Sequence, residues 1–157
     1  MLGSEEAKEM EKESGAGLVA LVTQISKALN RRTSEELLGM RLKQFMVLGY
    51  VRDRGSVSQQ ELETAMLIDA NAVVLLLNEM EAAGWSVRKR DPHDRRRHLV
   101  EITESGKTAV DHAEKARERL EEEILRELSP EERATLIRLM RRALDGLLRA
   151  TPEPAKL

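Results

Sequence analysis

The sequence predicts a mainly α-helical fold carrying one small β-hairpin, and three observations predict it. Apolar residues recur at three- and four-residue spacing through most of the 157-residue chain, the pattern of amphipathic helices. Aromatic residues are nearly absent: Phe45, Tyr50 and Trp85 are the whole set, a composition that disfavours a β-sandwich or barrel. Past the middle of the chain, His98, Val100 and Ile102 alternate with Leu99, Glu101 and Thr103, a period of two that belongs to a strand.

Each element has its own signal. Leu18, Leu21, Val22, Ile25, Ala28 and Leu29 form the stripe of a first helix that ends near Asn30 to Arg32. TSEELLG reads as a short polar turn with room for one turn of helix. Leu42, Phe45, Met46, Leu48 and Gly49 to Val51 predict a second helix, stopped by Gly55. Ser58 with Glu61 three residues later is a capping-box pattern, so a short third helix starts at about Gln59. LIDANA is a tight connection, in which Asp69 is a good N-cap for a fourth helix. Gly84 ends that helix by taking a left-handed conformation.

Trp85 to Arg90 and Arg97 to Thr103 are strand-like, and the polar DPHDRR between them is a hairpin loop. Thr103 caps a long, charged fifth helix with Val110, Ala113, Leu120, Ile124 and Leu128 on one side. In SPEE, Ser129 is the N-cap, Pro130 the first helical residue and Glu132 the return partner. The sixth helix carries Leu136, Leu139, Met140, Ala143, Leu144, Leu147 and Leu148. A short helix pair followed directly by a two-stranded hairpin is a winged helix–turn–helix, here flanked by N- and C-terminal helices. The outer stripes exceed what one small domain covers, so a two-fold dimer is expected. The expected organisation is a flexible acidic N-terminus (1–14), a dimerisation helix (15–36), a winged helix–turn–helix domain (37–103), dimerisation helices (104–150) and a tail (151–157).

Composition removes several function classes. The net charge is -2, so any affinity for nucleic acid comes from a local patch. Cysteine is absent, which excludes disulfides and thiolate metal sites. His93, His98 and His112 lack metal-ligand spacing, so neither a metal nor another cofactor is expected. There is no Gly-rich phosphate loop, nucleophile elbow or paired catalytic carboxylate, and the chain does not read as an enzyme. No apolar run approaches the ~18 residues of a membrane span, and MLGSEEAKEMEKESG has no secretory features; a cytoplasmic, membrane-free protein is expected.

One local contrast stands out. No Lys or Arg occurs between Arg54 and Arg88, and the fourth helix carries Asp69, Glu79 and Glu81. Then Arg88, Lys89, Arg90, Arg95, Arg96 and Arg97 crowd one hairpin, opposed only by Asp91 and Asp94. Such a patch attracts phosphates and releases their counterions.

These pieces resemble the MarR group of bacterial transcriptional regulators, from about Leu18 to Leu148. The resemblance is carried by RLKQFMVLGYV, SQQELETAM, MEAAGW, the wing RKRDPHDRRRHLVEIT, ESG and LSPEER. It implies a homodimer that binds double-stranded DNA at pseudo-palindromic operators, commonly as a repressor. It also implies release by a small aromatic or phenolic effector. In the family, the residues matching Asp94 and Arg96 form an Asp-x-Arg pair in which the aspartate orients the arginine into the minor groove. Positions matching Ala72, Val74 and Leu75 are usually Thr, Thr and Arg, so here a guanidinium and two hydroxyls are missing.

The residues then divide the work. On the fourth helix Val73, Leu76, Leu77 and Met80 face inward, while Asn71, Leu75, Asn78 and Ala82 face outward, with Ala72 and Val74 on the flanks. Readout falls to Asn71 against adenine and to Ala72, Val74 or Leu75 against thymine methyls. Asn78, Gln59 and Gln60 are candidates for backbone or base contact. The wing residues Arg88, Arg90, Arg95, Arg96 and Arg97, with Arg52 and Arg54, supply phosphate affinity, with Asp94 as the partner of Arg96, and an A·T-rich operator is expected. For the effector, Tyr50, Arg31, Arg32, Trp85 and His112 are the aromatic or polar candidates in a crevice between the first, second and fifth helices. An alternative stays open: a winged-helix protein–protein interaction module that has lost DNA binding.

Overall fold

A computed structural model describes residues 17–150. The expected acidic N-terminus (1–14) and tail (151–157) lie outside the described residues. In chain order the elements are α1 (Gly17–Arg32), α2 (Glu35–Leu38), α3 (Leu42–Arg54), β1 (Ser56–Ser58), α4 (Gln59–Met66), α5 (Ala70–Ala82), β2 (Ser86–Arg90), β3 (His98–Ile102), α6 (Glu104–Ile124) and α7 (Pro130–Ala150). The chain divides into two units between Arg117 and Glu118, inside α6.

Helix ends follow the local chemistry. The Ser34 hydroxyl accepts the Leu37 N–H at the start of α2, and Gly39 closes that turn at φ 72°. Ser58 accepts from the Glu61 N–H at 3.1 Å and opens α4. The Glu61 carboxylate does not complete the box; it accepts from the Tyr50 hydroxyl at 2.9 Å instead. Asp69 accepts from the Ala72 N–H at 2.8 Å and opens α5. At its far end Gly84 takes φ 77°, and the Trp85 N–H reaches back to the Met80 carbonyl at 2.9 Å. Leu67 ends α4 at φ 56°, a left-handed non-glycine that makes the turn of the helix pair.

The sheet has three strands rather than the expected two, in the order β1-β3-β2, all antiparallel. β1 pairs Val57 opposite Val100, and both side chains are fully buried. That pairing anchors the hairpin to the helices. In the hairpin itself Ser86 lies opposite Ile102 and Arg90 opposite His98.

The first unit has one core. Leu48, Val51, Val57, Leu62, Val73, Leu77, Met80 and Val100 fill it, and Val110, Ala113 and Ala116 of α6 belong to it as well. Leu38, read from the sequence as part of a polar turn, and Met40 just after that turn are each 1 % exposed and plug one side. The first half of α6 is therefore a structural part of the winged unit. α1 buries no residue; Leu18, Val19, Leu21, Val22 and Ile25 are exposed.

In the second unit, Ser129 and Glu132 form the full reciprocal capping box of α7, at 2.7 and 3.2 Å. The Arg133 Nε donates to the Leu125 and Leu128 carbonyls and ties the turn before the helix. α7 leaves Leu136, Ile137, Leu139, Met140, Leu144, Leu147 and Leu148 exposed along its apolar stripe.

Candidate nucleic-acid interface

α5 buries Val73, Leu76, Leu77 and Met80, the inward face that the helical wheel predicts. Asn71, Leu75 and Asn78 are exposed, and Ala72 is half-buried on the flank. Leu75 is 63 % and Val74 37 % exposed, so neither is covered by a neighbouring element. The outer surface of the helix thus carries an amide and small or aliphatic side chains over its first two turns.

Its acidic residues are all committed to structure. Asp69 caps the helix. The Glu79 carboxylate pairs with the Arg41 guanidinium at the start of α3, and the same oxygen accepts from Gln44 Nε2 at 3.2 Å. The Glu81 carboxylate receives the Arg88 guanidinium in a two-pronged pair, Nε to Oε1 at 2.8 Å and Nη2 to Oε2 at 2.9 Å. The hydrogen bond from Arg88 holds the Glu81 carboxyl below its ordinary pKa, outweighing the opposing effect of desolvation. The same pair raises the Arg88 pKa.

The wing turn is built by its two aspartates. Asp91 Oδ1 accepts from the His93 N–H at 2.8 Å, and Asp94 Oδ1 from the Arg96 N–H at 3.0 Å. The Asp91 N–H donates to the Arg97 carbonyl and the Arg97 N–H to the Asp94 carbonyl, each at 3.0 Å. The resemblance implies that Asp94 orients the Arg96 guanidinium; in this structure it holds the Arg96 backbone instead. The arginine side chains are left unclaimed. Among the described residues, no hydrogen bond or ion pair engages the side chains of Arg90, Arg95, Arg96 or Arg97.

Other expected contacts sit elsewhere. Arg88 is turned to α5, with Nη2 also 2.5 Å from Asn78 Oδ1, so both side chains are already engaged. Lys89 pairs with Glu101 across the strands at 2.6 Å. Arg52 reaches Glu114 at 2.8 Å and Asp111 at 3.1 Å on α6, as well as Asp53, and the Glu114 bond leads in raising its pKa. It fastens α3 to α6 and is not displayed as a phosphate ligand. Arg54 lies over the Tyr50 ring at 3.7 Å and 3.5 Å from Glu61. Burial, then the hydrogen bond to Glu61, raises the Tyr50 hydroxyl pKa.

Gln59 and Gln60 open α4 and share a groove of about 260 Å³ with Ser58, Glu63, Arg96, Arg97 and His98. The start of the first helix of the pair and the wing root therefore form one polar, cationic surface, a juxtaposition no local spacing in the sequence announces.

The crevice residues separate. Trp85 and His112 line a groove of about 550 Å³ with Leu38, Gly39, Ser105, Thr108 and Ala109. Tyr50 lines a different one, of about 320 Å³, with Phe45, Met46, Arg52, Met66 and Glu114 among its walls. Arg31 and Arg32 end α1 and line neither. Among the described residues no cluster of His, Asp and Glu is placed to hold a metal ion, and no helix is long and apolar enough to cross a membrane.

A helix pair whose second member shows an uncharged face, joined to a hairpin on which Arg90, Arg95, Arg96 and Arg97 meet no partner among the described residues, defines a winged helix–turn–helix regulator. Comparisons with known proteins give its family. The sequence model of the MarR family matches residues 38–97. The uncharacterized HTH-type transcriptional regulator YdgJ of Bacillus subtilis is 32 % identical over 113 residues, which span 72 % of this chain and 69 % of that protein. The HTH-type transcriptional repressor NicR of Pseudomonas putida is 31 % identical over 103 residues, 66 % of this chain and 65 % of that protein. The crystal structure of a cysteine-to-serine mutant of MarR from E. coli complexed with operator DNA superposes with a TM-score of 0.72 at 27 % identity, covering 81 % of this chain and 93 % of the other. The chain belongs to the MarR family. It is a MarR-type transcriptional regulator, of a class of DNA-binding regulators and not of enzymes.

Proposed function

We propose that the chain works as a homodimer that binds a pseudo-palindromic, A·T-rich operator and represses transcription from it. One observation carries this reading: among the described residues Arg90, Arg95, Arg96 and Arg97 stand unpaired on the wing, while α5 offers no cation at all. Phosphate attraction then belongs to the wing and to the groove it shares with Gln59 and Gln60. Discrimination belongs to Asn71, which can pair bidentately with adenine, and to the apolar Ala72, Val74 and Leu75, which fit thymine methyls. The wing arginines suit a narrow A·T minor groove, whose potential is the more negative. Binding of operator DNA by the E. coli MarR mutant and the repressor name of NicR support the assignment.

A small aromatic or phenolic compound would act as the releasing ligand. The groove of Trp85, His112, Leu38 and Ala109 offers it one aromatic wall, one imidazole and aliphatic surface.

Selection of bound duplex from a random pool, followed by salt titration, tests the reading. The selected site is expected to be palindromic and A·T-rich. Its log affinity should fall steeply with log salt. Changing Arg95 and Arg96 to Ala should make that slope shallower by about 0.9 for each phosphate no longer neutralised. Absence of binding to any duplex at low salt overturns the reading. It would favour a protein-interaction role for the exposed Leu67 and Leu75.

A further inference from the structure

Arg88 belongs by sequence to the basic run of the wing, and by structure to α5. Its guanidinium grips Glu81 through two parallel bonds and Asn78 through a third. Asn78 and Glu81 are three residues apart, one turn along a single helix face. From another direction Arg41 and Gln44 hold Glu79, which follows Asn78 in the chain. The two glutamates of α5 are therefore pinned from two different elements, the N-terminus of α3 and the strand β2.

The rest of the seating of α5 is apolar. Val73, Leu76, Leu77 and Met80 contribute burial, which is strong but not directional. Two-pronged guanidinium–carboxylate bonds are directional, and they set how far the helix is rotated about its axis. That rotation matters unusually here. The exposed face reads through Asn71 and the short side chains of Ala72, Val74 and Leu75, and dispersion contacts fade over a fraction of an ångström. A long arginine on that face would tolerate a small roll; a valine methyl would not.

We propose that Arg88 is a positioning residue for sequence readout: it locks the roll of α5 through Glu81 and Asn78 and is not among the cations that meet phosphate. The inference rests on the DNA-binding function proposed above. Glu81 correspondingly has two effects. It anchors the helix, and it withholds one positive charge from the wing.

The test compares affinity for the selected operator and for random duplex, across a salt series, in three variants. Arg88→Gln is expected to keep the native salt slope while operator-over-random discrimination falls about tenfold, the scale of one mismatched base pair. Glu81→Gln keeps an acceptor for Arg88 but removes the opposing charge, so the salt slope should steepen by about 0.9 as discrimination falls. The exchanged pair, Glu81→Arg with Arg88→Glu, should recover both discrimination and the native slope.

An Arg88→Gln protein whose slope becomes shallower by about 0.9 with discrimination intact would make Arg88 a phosphate ligand and overturn the proposal. So would an exchanged pair that melts like the native chain yet discriminates no better than Arg88→Gln. If the native chain itself binds no duplex at low salt, the DNA-binding reading fails first and the inference falls with it.

Discussion

Gly106 shows how much a single position can carry. It lies in the first turn of α6, and a Cβ built there would stand 2.1 Å from the Trp85 carbonyl oxygen and 2.8 Å from Ile102 Cγ1. That carbonyl cannot simply retreat, because it accepts the Thr103 N–H at 3.0 Å. The Thr103 hydroxyl in turn donates to the Gly84 carbonyl at 2.6 Å and accepts from the Gly106 N–H at 3.0 Å. The stop of α5, the base of the wing and the start of α6 are thus joined in one knot of backbone. Gly106→Ala should lower stability by roughly 1–3 kcal/mol through overpacking, read as a lower denaturation midpoint at unchanged slope. An unchanged midpoint would mean that the knot yields freely. At this scale the sequence spoke unevenly. The capping role of Thr103 was legible because a cap acts within its own turn. The need for Gly106 was not, since the crowding atom comes from Trp85, remote along the chain. Nor could six similar cations be sorted in advance. Whether Arg88 meets a carboxylate depends on the helical turn that presents Glu81.

Among the elements, α5 is the one whose sequence and structure agree most closely. Asp69, the buried stripe and Gly84 were all readable, since each signal is local or periodic, and each stands where the spacing puts it. The strand β1 was missed for the complementary reason: three residues are too few to show a period of two, and only the partner Val100 makes Val57 a strand residue. Leu38 was missed because a four-residue helix has no stripe, and Met40 because it stands outside any helix, though a Leu-Leu-Gly-Met run already hints at burial. The surroundings of α5 yield a prediction that belongs to the element as a whole. With no cation and an exposed Val74 and Leu75, the readout proposed for α5 relies on methyl contacts beside the Asn71 amide. Replacing the operator's contacted thymines by uracils removes only those methyls. Each should cost about 0.8 kcal/mol, close to a fourfold drop in affinity, with the salt slope unchanged. Uracil substitution without effect would leave Asn71 as the whole readout and remove the apolar face from the account.

For the whole molecule, the decisive quantity is the apolar surface that no described residue covers. α1 exposes Leu18, Val19, Leu21, Val22 and Ile25 and buries nothing; α7 buries nothing either and exposes Leu139, Met140, Leu144 and Leu148 along one stripe. Two helices of this kind contribute little to a monomer, because an amphipathic helix draws its stability from what it packs against. In a homodimer the same stripes become core, and folding then depends on protomer concentration. Thermal melting should therefore shift with dilution. Each tenfold drop removes about 1.4 kcal/mol of assembly free energy, which for a molecule of this size lowers Tm by roughly 2–4 °C. Leu144→Glu, placed on the exposed stripe of α7, should abolish that dependence and lower the melting temperature together. It should also weaken operator binding while leaving the affinity for random half-length duplex untouched, because the wing and α5 of each protomer are unaltered and only the pairing of half-sites is broken. A native melting curve that does not move over several decades of concentration, measured down to where a weak dimer would separate, would assign both stripes to some other partner. The palindromic operator would then go with it, since a two-fold site has no meaning for a single copy of α5.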